Sequence, residues 1–274
     1  MAAATSRPAV LSVAGSDNSC GAGIQADLQV FAAFDCYGQT AVTCVVAENP
    51  RRVAAIHPVP ADLVGEQIRV GAEIFPPRAA KTGMLYSAEI IVAVAEALSG
   101  VRCPVVVDPV MVASSGDPLM REDAVVAYRE HLFPHAAVLT PNTDELALLV
   151  GHPVKSHDAL RDAAHALSKS TGRPVLAKGG HLGGRTARDL LVCRGRETGF
   201  EAPFVTGASA HGTGCTYSAA IAAGLARGHS LTKSISDAKK FITASIASGL
   251  RIHRTRVLDI PAAASTKNRK SADK

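Results

Sequence analysis

The chain has 274 residues, 47% hydrophobic and 19% charged, a composition that excludes wholesale disorder. The formal net charge is +5, but Lys267, Arg269, Lys270 and Lys274 against Asp273 place +3 in the tail and leave only +2 for everything before it. Aromatics at 4% and no Trp are too few for a base-stacking nucleic-acid surface, and no run of about 18 apolar residues exists to cross a bilayer.

The apolar pattern alternates short β-branched runs with helical periods. Val10–Ala14 reads as a buried strand followed by a glycine-rich loop, and Gly23–Asp35 as a helix with Ile24, Leu28 and Phe31 on one face. Thr40–Ala47 is a strand, Asp62–Phe75 a helix, Ala79–Leu85 a strand and Ala88–Leu98 a helix. Val105–Asp108 is a strand closed by Pro109, and Glu122–Phe133 is a helix. Then follow a strand at Val138–Thr140, helices at Thr143–Val150 and Asp158–Ser170, and a strand at Val175–Lys178. Asp189–Cys193 and Phe200–Val205 suggest a hairpin, and helices at Thr213–Ala226 and Thr232–Leu250 finish the fold. Apolar strands separated by helices predict an α/β/α sandwich around a mostly parallel sheet.

There is no internal repeat and no linker-like tract, so we expect one folded unit over 9–260, between a flexible lead at 1–8 and a disordered basic tail at 261–274. The lead has a single Arg and no apolar core, unlike a secretory signal. Six scattered cysteines form no C-x-x-C pair, which argues against a disulfide framework or zinc site and fits a reducing cytoplasm.

In such folds ligands bind beyond the carboxyl ends of the strands. Those ends carry Gly15-Ser16-Asp17, Glu48-Asn49, Thr82-Gly83-Met84, Asp108-Pro109, Asn142 to Glu145 and Lys178-Gly179-Gly180. His211-Gly212-Thr213-Gly214-Cys215-Thr216 opens a helix rich in small residues. Its glycines let amide groups converge at a helix N-terminus, which favours an anion; a tight turn before a packed helix reads equally well. A Walker motif is excluded because no Gly-Lys dipeptide occurs. Gly21-Ala22-Gly23-Ile24-Gln25-Ala26 mimics a dinucleotide fingerprint, but its first glycine does not follow the strand directly, so an NAD-dependent oxidoreductase is the weaker reading.

Asn142 and Glu145 serve either as a helix start or as oxygen donors for hydrated Mg²⁺, and Asp108 beside a phosphate site calls for a cation between them. Lys178 either snorkels to solvent or meets a phosphate. Asp27 is either an exposed helix position or a polar contact to a ligand above the first loop.

Val13 to Asp17, Gly21 to Leu28, Lys81 to Leu85, Asp108 to Met111, Ser115 to Pro118, Thr140 to Asn142, Lys178 to His181 and His211 to Thr216 together resemble the hydroxymethylpyrimidine/phosphomethylpyrimidine kinases of thiamine biosynthesis, within the ribokinase-like superfamily. The resemblance runs from about residue 9 to 250. It implies Mg²⁺- and ATP-dependent phosphorylation of a hydroxymethylpyrimidine and then of its monophosphate, commonly by a homodimer.

By position it places the anion hole at Gly212, Thr213, Gly214 and Cys215, and the pyrimidine pocket at Gly15, Ala22, Asp27, Glu48, Met84 and Val110. Lys178, Gly180, Thr206 and Asn142 lie along the nucleotide, with Asp108 and Glu145 toward the metal. Related sugar kinases carry an Asp base where this chain has Cys215; a helix N-terminus lowers a thiol's pKa, which makes Cys215 the expected base, against simple packing. One departure is the family's Ala-Gln-Asn string, here Ala47-Glu48-Asn49. Glu48 either accepts from the exocyclic amine, pairs with a protonated ring nitrogen, or marks a shift to pyridoxal or another B6 form.

Overall fold

The structure, a computed structural model, describes residues 6–112, 119, 124–206 and 211–260. The Ser115 to Pro118 motif, the expected helix start at Glu122, and the tail from 261 lie outside the described residues.

Nine strands build one sheet: β1 (Ala9–Asp17), β2 (Tyr37–Asn49), β3 (Arg52–Pro58), β4 (Ala79–Thr82), β5 (Val105–Val107), β6 (Ala136–Leu139), β7 (Val175–Lys178), β8 (Thr186–Cys193) and β9 (Arg196–Pro203). Their order is β3-β2-β1-β4-β5-β6-β7-β8-β9. The six from β2 to β7 in that order run parallel, and β3, β8 and β9 are antiparallel additions. Strands β4 to β6 are short and, apart from Lys81 and Thr82 of β4, apolar because both of their faces are covered.

The helices are α1 (Gly23–Ala33), α2 (Ala61–Ile74), α3 (Ala88–Ser99), α4 (Ala124–Ala127), α5 (Thr143–Val150), α6 (His157–Thr171), α7 (Thr213–Ala226) and α8 (Leu231–Ser248). Their limits are written in local chemistry. The Ser87 and Ser156 hydroxyls accept from the backbone at the starts of α3 and α6, and left-handed Gly151 and Gly172 stop α5 and α6.

One core joins Leu11, Val13 and Leu139 to Ile68, Ile91, Leu146 and Leu167 of α2, α3, α5 and α6. The other joins Val10, Val106 and Leu176 to Phe31, Ile221 and Phe241 of α1, α7 and α8. Each fully buried Leu, Ile or Val contributes about 1.5–3 kcal/mol of transfer free energy. The chain leaves β1 outward to β2 through α1 and returns past β1 to β4, so the strand order reverses there and a crevice opens at the carboxyl ends.

Several elements differ from expectation. β1 runs on to Asp17 through a register shift at Gly15, where an added Cβ would lie 2.9 Å from Cys44 Sγ. β3 was not expected; its mostly exposed, alternating residues pair with β2 as a hairpin at the sheet edge. The helix read over Glu122–Phe133 is, in its described part, α4 followed by a π-helical turn at Tyr128–Leu132. α8 stops at Ser248, and β10 (Leu250–Ile252) and β11 (Thr255–Val257) form a small hairpin beyond it.

Candidate active site

Two recesses meet above the strand ends and share Asn142, Lys178, His181, Thr213 and Gly214. The first is walled by Gly15, Ala22, Glu48, Met84, Val110 and Cys215. The second, of about 230 Å³, is largely apolar, with Phe204, Val205, Tyr217, Ile242 and Ile246 in its walls. A flat heterocycle suits either lining, and the shared wall is where a group would pass between them.

That wall is the first turn of α7. Gly212 precedes it at φ 77, a left-handed conformation open to glycine. A Cβ there would stand 1.7 Å from the Gly21 carbonyl oxygen, so the loop before α1 and the start of α7 touch backbone to backbone. Lys178 Nζ donates to Asp108 Oδ1 at 2.8 Å, and a Cβ on Gly214 would lie 3.3 Å from that Nζ. The lysine ammonium and the helix terminus therefore present positive potential to one spot.

Asp108 is held in turn by Thr140 Oγ1 at 3.0 Å and Ser218 Oγ at 2.9 Å. Burial alone would raise its carboxyl, but Lys178 and Lys81 keep it below the usual range. Glu145 lies at the floor of the first recess; burial pushes it up to about 8 against the pull of Lys178.

At the far rim, His211 Nε2 and Asp17 Oδ2 are 2.9 Å apart, and Glu48 completes a group whose ligand atoms lie within 4.8 Å of one another. Burial would raise Asp17, yet hydrogen bonds from His211, Ser19 and Ala22 hold it at about 2. Glu48 is raised by burial and by the neighbouring Asp17 charge.

The sequence profile of the phosphomethylpyrimidine kinase family matches residues 17–258. The chain belongs to this family. The hydroxymethylpyrimidine/phosphomethylpyrimidine kinase of Rhizobium meliloti is 43% identical over 88% of this chain and 91% of its own. Among solved structures, the pyridoxal kinase from Staphylococcus aureus in complex with AMP-PCP and pyridoxal superimposes with a TM-score of 0.85 at 32% identity, covering 94% of this chain and 95% of that one. The phosphomethylpyrimidine kinase from Clostridium difficile gives 0.75 at 35%, covering 86% and 98%.

Around the two recesses the structure gathers most of the residues expected from sequence and places others elsewhere. Gly15, Ala22, Glu48, Met84, Val110, Asp108, Asn142, Glu145, Lys178 and Gly212 to Cys215 line the first recess, and Gly180 lines the second. Asp27 does not reach the ligand space: it is fully buried, accepting from Ser12 Oγ at 2.5 Å and from Lys81 Nζ at 2.8 Å. Thr206 is exposed and outside both recesses, whereas its neighbour Val205 lines the second.

Asn142 Oδ1 accepts from the amides of Asp144 and Glu145, and Glu145 Oε2 accepts from the Asn142 amide at 2.7 Å, a reciprocal helix cap. Both lone pairs of the Asn142 amide oxygen are thus engaged. The expected low pKa of Cys215 is overturned. Burial pushes its thiol up to about 11, despite Lys81 and a hydrogen bond from the Gly23 amide.

Sequence reasoning gave no role to His211, His181, Tyr217 or Lys239. His211 stood inside the quoted glycine motif, so its position was available. Lys239 and Tyr217 looked like ordinary helix residues and meet only through the packing of α7 on α8, where Lys239 Nζ lies 5.9 Å from the Tyr217 ring.

Proposed function

We propose that this chain transfers the terminal phosphoryl group of ATP to the hydroxymethyl group of 4-amino-5-hydroxymethyl-2-methylpyrimidine, and then to the resulting monophosphate. The observation that carries this reading is the wall shared by the two recesses, where the α7 terminus and the Lys178–Asp108 pair converge. The pyrimidine lies between Ala22, Met84 and Val110, and the base of the nucleotide among Val205, Ile242 and Ile246. The amides of 213–215 and the Lys178 ammonium stabilise charge on the group in transfer. The thiolate form of Cys215 takes the proton of the alcohol in the first step and becomes the neutral thiol.

Hydrated Mg²⁺ fits the donors present. Glu145 keeps one oxygen outside its bond to the Asn142 amide, and this ion retains its waters readily. When bound, it neutralises phosphate charge. Asn142 orients Glu145, and Asp108, with both oxygens engaged by protein donors, positions Lys178. The kinase unit spans 9–260. A homodimer in the cytoplasm completes the proposal; free cysteines fit a reducing compartment, and the dimer follows from the family resemblance.

Glu48 carries the specificity. Burial and the Asp17 charge raise its carboxyl, so its protonated form, which donates and accepts as an amide does, is easier to reach than for an exposed Glu. Substitution Glu48→Gln is expected to lower KM for the aminopyrimidine several-fold and to flatten the pH dependence of that KM between pH 5 and 8. Initial rates across that range check it, and a raised KM with no change in pH dependence refutes the contact.

The decisive experiment is ADP release with Mg·ATP and, in turn, hydroxymethylpyrimidine, its monophosphate and pyridoxal. Both pyrimidines are expected to turn over, the first with kcat/KM at least tenfold above pyridoxal. Turnover of pyridoxal alone, or of none of the three, overturns the proposal.

A further inference from the structure

Donor atoms from three separate segments converge at the far rim of the first recess. Asp17 ends β1, Glu48 lies next to the end of β2, and His211 precedes the anion-binding turn. Asp17 Oδ2 and His211 Nε2 are 2.9 Å apart, and a Glu48 oxygen lies within 4.8 Å of each partner. Donors held at about 2.1 Å by one ion stand about 3 Å apart at a right angle and about 4.2 Å apart when opposite. The Asp17–His211 spacing meets the first value as it stands, and a side-chain rotation brings Glu48 to either.

All three residues are held in place from outside the cluster. The Ser19 amide donates to Asp17 Oδ1 at 2.6 Å, and the Ala22 amide and the Ser19 hydroxyl donate to Oδ2 at 2.9 and 3.0 Å. Outer hydrogen bonds of this kind orient the carboxylates that bind metals. An added Cβ on Gly21 would lie 2.5 Å from His211 Cδ2, so the imidazole rests against that backbone. The Glu48 amide donates to Asn18 Oδ1 at 2.7 Å, which ties the end of β2 to the residue after Asp17. Asp17 is 2% exposed, whereas Glu48 and His211 line the recess, so the free side of the cluster faces the ligand space.

Charge points the same way. Among the described residues neither carboxylate has a lysine or arginine partner, and Lys178, in the same recess, is committed to Asp108. With both carboxylates ionised, a protonated imidazole leaves one negative charge over, whereas a divalent ion on a neutral imidazole balances both. The second carboxylate comes from the Ala47-Glu48-Asn49 departure; a glutamine at 48 would offer only a neutral amide. We propose that Asp17, Glu48 and His211 form a cysteine-free site for a borderline divalent cation of the zinc or cobalt class, distinct from the Mg²⁺ donors around Glu145. An imidazole nitrogen with two carboxylate oxygens suits such ions, while Mg²⁺ keeps to oxygen and its waters. As the ion binds, the proton between His211 Nε2 and Asp17 leaves to solvent. The effect on catalysis rests on the contact proposed above between Glu48 and the aminopyrimidine: a carboxylate turned to the ion is withdrawn from that substrate, so the ion closes the first recess to it.

The test is calorimetric titration of the full chain, stripped of metal, with ZnCl₂ in excess MgCl₂ and without substrates. One tightly held ion per chain is expected, and Glu48→Gln and His211→Gln each weaken it at least tenfold. Glu48→Gln keeps the shape of the side chain, so its Tm stays within a few degrees of the wild type and the loss of affinity is not a loss of structure. Glu197→Gln removes the carboxylate beside the exposed His165 and is expected to leave the affinity within twofold. No such binding, affinity unchanged in Glu48→Gln, or affinity weakened as much in Glu197→Gln overturns the site. A second titration, of hydroxymethylpyrimidine into the chain with and without saturating Zn²⁺, is expected to show at least a fivefold loss of pyrimidine affinity that disappears in Glu48→Gln at the same Zn²⁺ concentration. Zn²⁺ bound through Glu48 and His211 with pyrimidine affinity unchanged upholds the site and refutes the Glu48 contact with the substrate instead.

Discussion

Gly212→Ala is expected to reduce kcat for both phosphorylations at least a hundredfold while lowering Tm by only a few degrees. Two costs arise at this position and they separate cleanly. Holding an alanine at φ 77 costs about 1–2 kcal/mol, roughly 2–8 °C for a domain of this size. The second is steric: the new Cβ would be 1.7 Å from the Gly21 oxygen and 2.8 Å from its carbonyl carbon, both backbone atoms that no rotamer change can move aside. The contact must open by more than 1 Å, which drags the α7 terminus away from the loop before α1. Displacement of that size at positioning groups costs about a hundredfold in rate.

Gly228, beyond the other end of α7, supplies the control. It has φ 81, and an added Cβ there meets nothing within 4 Å. Gly228→Ala is expected to show only the part of the Tm loss that comes from φ, with kcat within twofold of the wild type. Circular dichroism melts and steady-state kinetics on the two variants check this, and a Gly212→Ala enzyme that retains a third of its activity refutes the role of the turn.

The two sites of uneven legibility in the sequence have physical causes. The α5 and α7 limits were readable because Asn142 and Glu145 announce a reciprocal cap and Gly212 a left-handed entry, both local facts. The mostly parallel sheet covered on both faces followed from the alternation of strands and helices, but its strand order, and with it the place of the switch point, did not. β3 escaped because an exposed edge strand alternates without a strong apolar run, and the hairpin of β10 and β11 is three residues long on each side.

Side-chain direction was the harder matter. Asp27 follows a glycine-rich loop and precedes Leu28, and both neighbours suggested an outward-facing carboxylate. Its actual direction is decided by Lys81, 54 residues away in sequence, across a register that only the folded sheet creates. The Cys215 error has the same origin. A helix N-terminus lowers a thiol's pKa in a well-solvated setting, but Cys215 is only partly exposed at the recess wall, where α7 packs on β4 and α1, and the loss of solvent there outweighs the helix terminus.

That correction changes what Cys215 must do, and it yields a kinetic signature. With the thiol titrating at about 11, only about one molecule in ten thousand holds a thiolate at pH 7, and the fraction rises tenfold per unit up to the midpoint. The alcohol step needs that thiolate to accept a proton; the monophosphate step does not, because a phosphate monoester with a second pKa of about 6 is already ionised. Between pH 7 and 9 the first phosphorylation should therefore climb close to tenfold per unit while the second stays nearly flat. Cys215→Ala is expected to slow the first step by about 10²–10⁴ and abolish its slope, leaving the second within threefold. Single-turnover rates with each pyrimidine across that pH range distinguish the cases. Equal losses in both steps, or a slope that survives removal of the sulfur, would assign the proton to another group and leave Cys215 as a packing residue beneath the anion turn.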